Sequence, residues 1–160
     1  FDNGSAMVSP FTFKDMLLGT TGGCIGETCA LALIIGGIFL IVMGVISPAT
    51  PIAFIGIFGV LTLCYTGSLT MTVYQLLAGG LMIGAFFMAT DYATTPLTTK
   101  GKVVFGAGCA IITFVIRQFG SFPEGVSFSI LLMNLLTPYI DKLCKTKPLG
   151  AKKPVKEAAK

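Results

Sequence analysis

Few residues in this 160-residue chain carry chemistry, and most of them stand at the edges of long apolar stretches. Glu27 follows the glycine-rich run Thr20-Thr21-Gly22-Gly23-Cys24-Ile25-Gly26, and Glu124 lies between Pro123 and Gly125. Each acid opens a predicted helix, where the macrodipole favours an anion, so each has a simple electrostatic explanation. Arg117 closes another predicted helix and is placed to pair with either acid. Such a pair at a membrane boundary suits a structural role and a ligand site equally. Asp91 is different, because it ends an apolar stretch at a helix C-terminus, where the dipole disfavours a carboxylate. Thr90, Thr94, Thr95, Thr98 and Thr99 surround it with hydroxyls. That cluster suits the ribityl chain or ring edge of a flavin, a headgroup or a cation. The alternative is an Asx-type loop that satisfies its own backbone. The density of hydroxyls beside a carboxylate favours the ligand site.

Other chemistry is excluded. The chain has no histidine, which removes Ser-His-Asp and Cys-His nucleophile systems and most zinc sites. Among the cysteines only Cys24 and Cys29 are near neighbours, too few ligands for a metal site, and their spacing alone does not establish a disulfide. Cys64 and Cys109 lie in predicted spans, where a free thiol acts as a small apolar residue. Gly80 and Gly84, backed by Gly79, form a G-x-x-x-G read as close helix packing.

The elements that must position these groups are membrane helices. Hydrophobic residues make up 54% of the chain and charged residues 11%, less than half the charge of an ordinary soluble domain. From residue 28 to residue 90 there is no Asp, Glu, Lys or Arg. A span needs roughly 20 apolar residues, so that stretch has room for three. Turn residues divide the chain into five predicted spans, at about 28–46, 52–65, 73–90, 103–117 and 125–139. Ser47, Pro48 and Pro51 stop the first, and the last two are short enough that tilt is not expected. The reading is an all-α polytopic membrane protein: an external segment over 1–27, a five-span domain over 28–140 and a Lys-rich tail over 141–160.

Basic residues orient it. Of the 11 Lys and Arg, all but Lys14 and Arg117 fall on the face shared by the 91–102 loop and the tail. The positive-inside rule makes that face cytoplasmic and the N-terminal segment external. The tail reads as a solvated topogenic segment, not a nucleic-acid-binding module. The chain begins at Phe1, with no basic n-region or cleavage site before the apolar stretch; the expectation is a fragment of a longer protein, without a signal peptide.

Several ordered motifs then resemble a known family. They are Gly26-Glu27-Thr28, Gly84-Ala85-Phe86-Phe87-Met88-Ala89-Thr90-Asp91, Lys100-Gly101-Lys102, Ile116-Arg117, Phe122-Pro123-Glu124-Gly125-Val126 and Asn134-Leu135-Leu136-Thr137-Pro138-Tyr139-Ile140-Asp141. Across about 22–141 the chain resembles the NqrB/RnfD family. The wording from Phe119 to Gly125 is closer to the D subunit of the Rnf complex than to the B subunit of the sodium-pumping NADH:quinone reductase.

The resemblance implies half of a ten-span subunit built from two inverted five-span repeats, like the urea-transporter fold. It implies electron transfer from ferredoxin towards NAD through membrane flavin, coupled to Na+ or H+ movement, in a bacterial or archaeal cytoplasmic membrane. It also implies partner membrane and peripheral subunits, and an FMN joined to a threonine in an Asp-x-x-[Ser/Thr]-x-Ala-Thr motif. Ser47-Pro48-Ala49-Thr50 lacks the leading Asp and falls on the cytoplasmic face, so the attachment threonine is expected upstream. On this reading Glu27, Arg117, Glu124 and Gly125 border an external flavin, and Thr90 and Asp91 border a second flavin or the ion route. The competing readings are the quinone-reductase B subunit, a urea-transporter-like channel without redox role, and a structural membrane subunit without cofactor.

Overall fold

The computed structural model describes residues 29–78, 80–120 and 125–144, and every regular element among them is helical. The elements are α1 (Ala30–Val42), α2 (Ala49–Thr66), α3 (Leu69–Leu77), α4 (Leu81–Ile83), a π-helical turn (Gly84–Met88), α5 (Thr99–Phe119) and α6 (Val126–Leu143). Two of them, α2 and α5, are long and apolar enough to cross a membrane, and a third crossing is made if α3 and α4 with its π turn are counted together. The 13 residues of α1 are also apolar, but they extend only about 20 Å, short of a hydrocarbon core of about 30 Å.

Local chemistry sets the boundaries, in places differently from the sequence expectation. The first helix stops at Val42, before Ser47, and Gly44 turns the chain with a positive φ of 69°. Pro51 does not break the chain. It lies in the first turn of α2, where its missing N–H is one of the four that a helix cannot pair in any case. A left-handed Gly67, φ 64°, then closes α2. Thr98 caps α5, its hydroxyl accepting from the Gly101 amide at 2.9 Å. With 21 residues, α5 is longer than the predicted fourth span. The fifth also extends further, to Leu143, with Pro138 inside it.

The largest correction concerns the third span. The sequence predicts a single helix over 73–90; instead α3 ends at Leu77, Ala78 is extended at ψ 140°, and α4 sets off at 68° to α3. The π turn follows, closed by the Ala89 amide donating to the Gly84 carbonyl at 2.7 Å.

Packing fixes how these helices run. Gly106 of α5 lies against the Thr50 carbonyl, and a Cβ there would come within 2.8 Å of it. Further along, Phe58 meets Phe114 edge-on at 6.5 Å, and Tyr65 meets Phe114 at 5.8 Å and Phe119 at 6.5 Å. Numbers rise together on both helices, so α2 and α5 are parallel. Contacts of α5 with α6 run the other way: Thr113 bonds Ser129, Gly108 abuts Met133 and Gly101 abuts Ile140. These two are antiparallel. Phe54, Phe58, Leu81, Phe105 and Val126 form the core between them. Gly84 is seated against Val126, where a side chain would collide, so this half of the G-x-x-x-G does serve close packing.

Candidate functional site

The predicted site residues separate into two groups at opposite ends of the α2/α5 pair. Glu27 and Glu124 lie outside the described residues, as does Cys24 of the Cys24/Cys29 pair.

At the end where α2 finishes, Arg117 reaches across to the break in the third span. Its Nη1 donates to the Gln75 carbonyl at 2.8 Å and its Nη2 to the Ala78 carbonyl at 3.2 Å. The guanidinium also lies 5.3 Å from the centre of the Phe58 ring, a cation–π distance. Beside it the Gln118 amide donates to the Gln75 side-chain oxygen at 3.1 Å. The arrangement follows from the break. A helix that stops leaves its last carbonyls without N–H donors and carries partial negative charge at that end. A forked, permanently charged donor satisfies both demands. Gly125 lies nearby as the N-cap of α6, buried, with φ 60°. A Cβ there would come within 2.8 Å of Ile116, so both the backbone angle and the space call for glycine.

At the other end, Thr90 and Asp91 follow the π turn. The Thr90 hydroxyl donates to the Phe86 carbonyl at 2.7 Å. One Asp91 carboxylate oxygen accepts from the Ala93 amide at 3.4 Å and the other from the Thr94 hydroxyl at 3.4 Å, while Thr95 donates to the Asp91 carbonyl. This is an Asx-type loop. Its carboxylate contacts are at the long limit of hydrogen bonding and the residue is exposed, so Asp91 retains acceptor capacity. Asp141 ties the loop to α6, accepting from the Leu97 amide at 3.2 Å.

Thr50 is 1% exposed inside the first turn of α2, leaving no room for a phosphoester-linked group. Three polar residues went unremarked as site candidates in the sequence: Gln75, Gln118 and Asn134. The signal was present, since each is a polar side chain inside or at the end of an apolar stretch. Asn134 is notable because its side-chain oxygen is, among the described residues, the buried one with no hydrogen-bond partner. Pro138, four residues on, has no N–H to offer the Asn134 carbonyl either.

A helical membrane protein with a sharply bent pair of apolar helices, the bend held by an arginine, is the class these features define. The model of the NQR2, RnfD, RnfE family matches residues 3–150, and the chain belongs to that family. It is 44% identical over 146 residues to the D subunit of the Na+-translocating ferredoxin:NAD+ oxidoreductase complex of Acetobacterium woodii, covering 90% of this chain and 45% of that protein. It is 44% identical over 145 residues to the D subunit of the proton-translocating counterpart from Clostridium ljungdahlii, covering 88% and 44%. The D subunit of the ion-translocating oxidoreductase complex of Stutzerimonas stutzeri is 36% identical over 148 residues, covering 88% and 41%. The chain thus spans less than half the length of these relatives.

Proposed function

We propose that this chain is part of the D subunit of an Rnf-type ferredoxin:NAD oxidoreductase, a membrane flavoprotein that passes electrons while the complex moves Na+ or H+. The 44% identity to subunits of both a Na+-translocating and a proton-translocating complex carries the reading. In this account five segments cross the membrane, as one half of a urea-transporter-like inverted repeat, with α3 and α4 as one broken span. Parallel α2 and α5 support it, because the chain must return across the membrane between them. The Asp91 loop and the α6 terminus face the cytoplasm, and the Arg117 end faces outward.

FMN is the cofactor of this reading, and when bound it supplies the electron-carrying chemistry. The Asp91 end suits a polyol or ring edge, since its carboxylate keeps acceptor capacity and Thr90 lies beside it. Arg117 and Gly125, with Glu27 and Glu124, would border the outer flavin, and the attachment threonine would lie in a preceding part of the protein. The other subunits of the complex are the partners.

A transporter without redox role is the second reading, favoured by the broken span, because discontinuous helices line substrate sites in transporters. One experiment separates the two. The full-length subunit purified in its complex is expected to fluoresce as flavin in a denaturing gel, equally in a Thr50→Ala variant, and the complex to reduce NAD with ferredoxin. A dark band and no ferredoxin-dependent reduction would leave the transporter reading standing.

A further inference from the structure

The break in the third span exposes an electronegative helix end within the bundle. The Leu76 side chain contacts the position of Gly59, where a Cβ would be 3.7 Å from it. That is about two turns before α2 ends, while Arg117 and Gln118 reach the break from the last turn of α5. Two backbone carbonyls, those of Gln75 and Ala78, converge there on one guanidinium, and the Gln75 side-chain oxygen accepts from Gln118 beside them. Carbonyl oxygens at the C-terminal end of a half-helix are the groups with which discontinuous membrane helices bind monovalent cations. Here a cation already occupies them, supplied by the chain itself.

We infer that the carbonyl end of α3 is a monovalent-cation site filled by the tethered guanidinium of Arg117, which keeps mobile ions out of the break. The side chain suits that task. Its planar fork reaches both carbonyls at once, at 2.8 and 3.2 Å, and its face lies on Phe58. The Gln118–Gln75 bond holds the neighbouring side chains in place. An ammonium group, being a point donor, cannot make the same forked, ring-stacked contact. Arg117 is therefore a positioning and plugging residue, acting through the backbone of the broken span. The inference depends on the proposed function only for the membrane complex in which it is tested.

The test uses the whole complex in proteoliposomes, without redox substrates, with passive Na+ and K+ efflux as the readout. Arg117→Ala is expected to insert at normal abundance and to leak monovalent cations several-fold faster than wild type. Added guanidinium should slow that leak by refilling the site, whereas urea, neutral and similar in shape, should not. Wild-type tightness in Arg117→Ala would overturn the inference. So would a leak equally sensitive to guanidinium and urea, or a complex that fails to assemble with both Arg117→Ala and Arg117→Lys, since the arginine would then be only a structural pin. Because no electron donor is present, absence of ferredoxin-dependent NAD reduction in wild type would sink the Rnf reading without touching this result.

Discussion

Asp91 shows how far a residue type can be taken. Its position at the unfavourable end of an apolar helix and the threonines around it were legible, and the structure gathers Thr94 and Thr95 onto it. Whether those hydroxyls serve a ligand or the loop was not legible, because both uses need the same residues. The two roles respond differently to one atom. Asn preserves an Asx turn, since its carbonyl oxygen accepts as the carboxylate does. Asp91→Asn is therefore expected to assemble at wild-type abundance. If the carboxylate contacts flavin or the coupled ion, the loss of one charge-assisted contact is worth about 1.5–3 kcal/mol, or tenfold or more in rate. The measurement is ferredoxin-dependent NAD reduction together with ion uptake in vesicles. Wild-type rate and coupling would make Asp91 a turn residue and nothing more. Arg117 was also legible as a residue that needs explaining, but its carbonyl partners were not. They exist only because the third span breaks, 39 and 42 positions earlier in the chain.

Elements were read most accurately where hydropathy and turn chemistry agreed, and less well where they conflicted. Four of the predicted spans overlap α1, α2, α5 and α6, with ends displaced by a few residues. The third failed because Ala78 and the glycines after it are apolar, so a hydropathy reading does not register a break there. Gly79 and Gly80 carry the signal of a break, but a G-x-x-x-G has the same residues and reads as packing. Packing between elements does rest on Gly84, set against Val126 as the G-x-x-x-G reading expects, and also on a hydroxyl relay. Thr113 donates to the Ser129 hydroxyl at 2.7 Å, and Ser129 donates to the Val126 carbonyl at 2.7 Å. Both side chains are fully buried. Ser129→Ala removes the acceptor from Thr113 and breaks the polar link between α5 and α6. The expected loss is about 0.6 kcal/mol, with about 1.7 as the upper range for one interhelical hydrogen bond in a membrane. Thermal unfolding of the purified complex checks it, with Thr113→Val/Ser129→Ala as the partner variant. A double variant more stable than Ser129→Ala alone would show that the orphaned Thr113 hydroxyl, not the lost packing, accounts for the cost. A Ser129→Ala protein as stable as wild type would show that the relay contributes nothing.

On the scale of the whole molecule, charge and packing give independent accounts of which ends lie together. Charge places Lys100, Lys102 and the Lys-rich tail on one face. Packing links the same end through the Leu97 amide and Asp141, and through Gly101 against Ile140. Lys142 follows Asp141 directly, and its ammonium lies 5.7 Å from the Tyr139 ring. The run of directions is then constrained. α2 and α5 are parallel and α6 returns antiparallel, so the segment between α2 and α5 has to bring the chain back. A re-entrant α3/α4 that turned round and left on the side it entered would deliver Asp91 to the Arg117 end. Asp91 instead lies by the start of α5, because its carbonyl accepts from the Thr95 amide at 3.2 Å and Pro96 lies against Gly101, about 31 Å of helix away from the other end. The chain therefore passes from the Arg117 end to the Asp91 end by way of α3, α4 and the π turn, as the single crossing proposed for the bent pair requires. If basic residues set orientation as they do in other membrane proteins, the shared end is cytoplasmic. A reporter fused after Lys160 is expected to be active as a cytoplasmic fusion and silent as a periplasmic one, and one inserted between Tyr92 and Ala93 should behave identically. Opposite signals from the two positions would overturn the antiparallel pairing of α5 and α6, whereas a reporter between Gly67 and Ser68 that matched the one at Tyr92 would overturn the single crossing proposed for α3 and α4. Two periplasmic signals would leave the helix directions intact and reverse the membrane orientation.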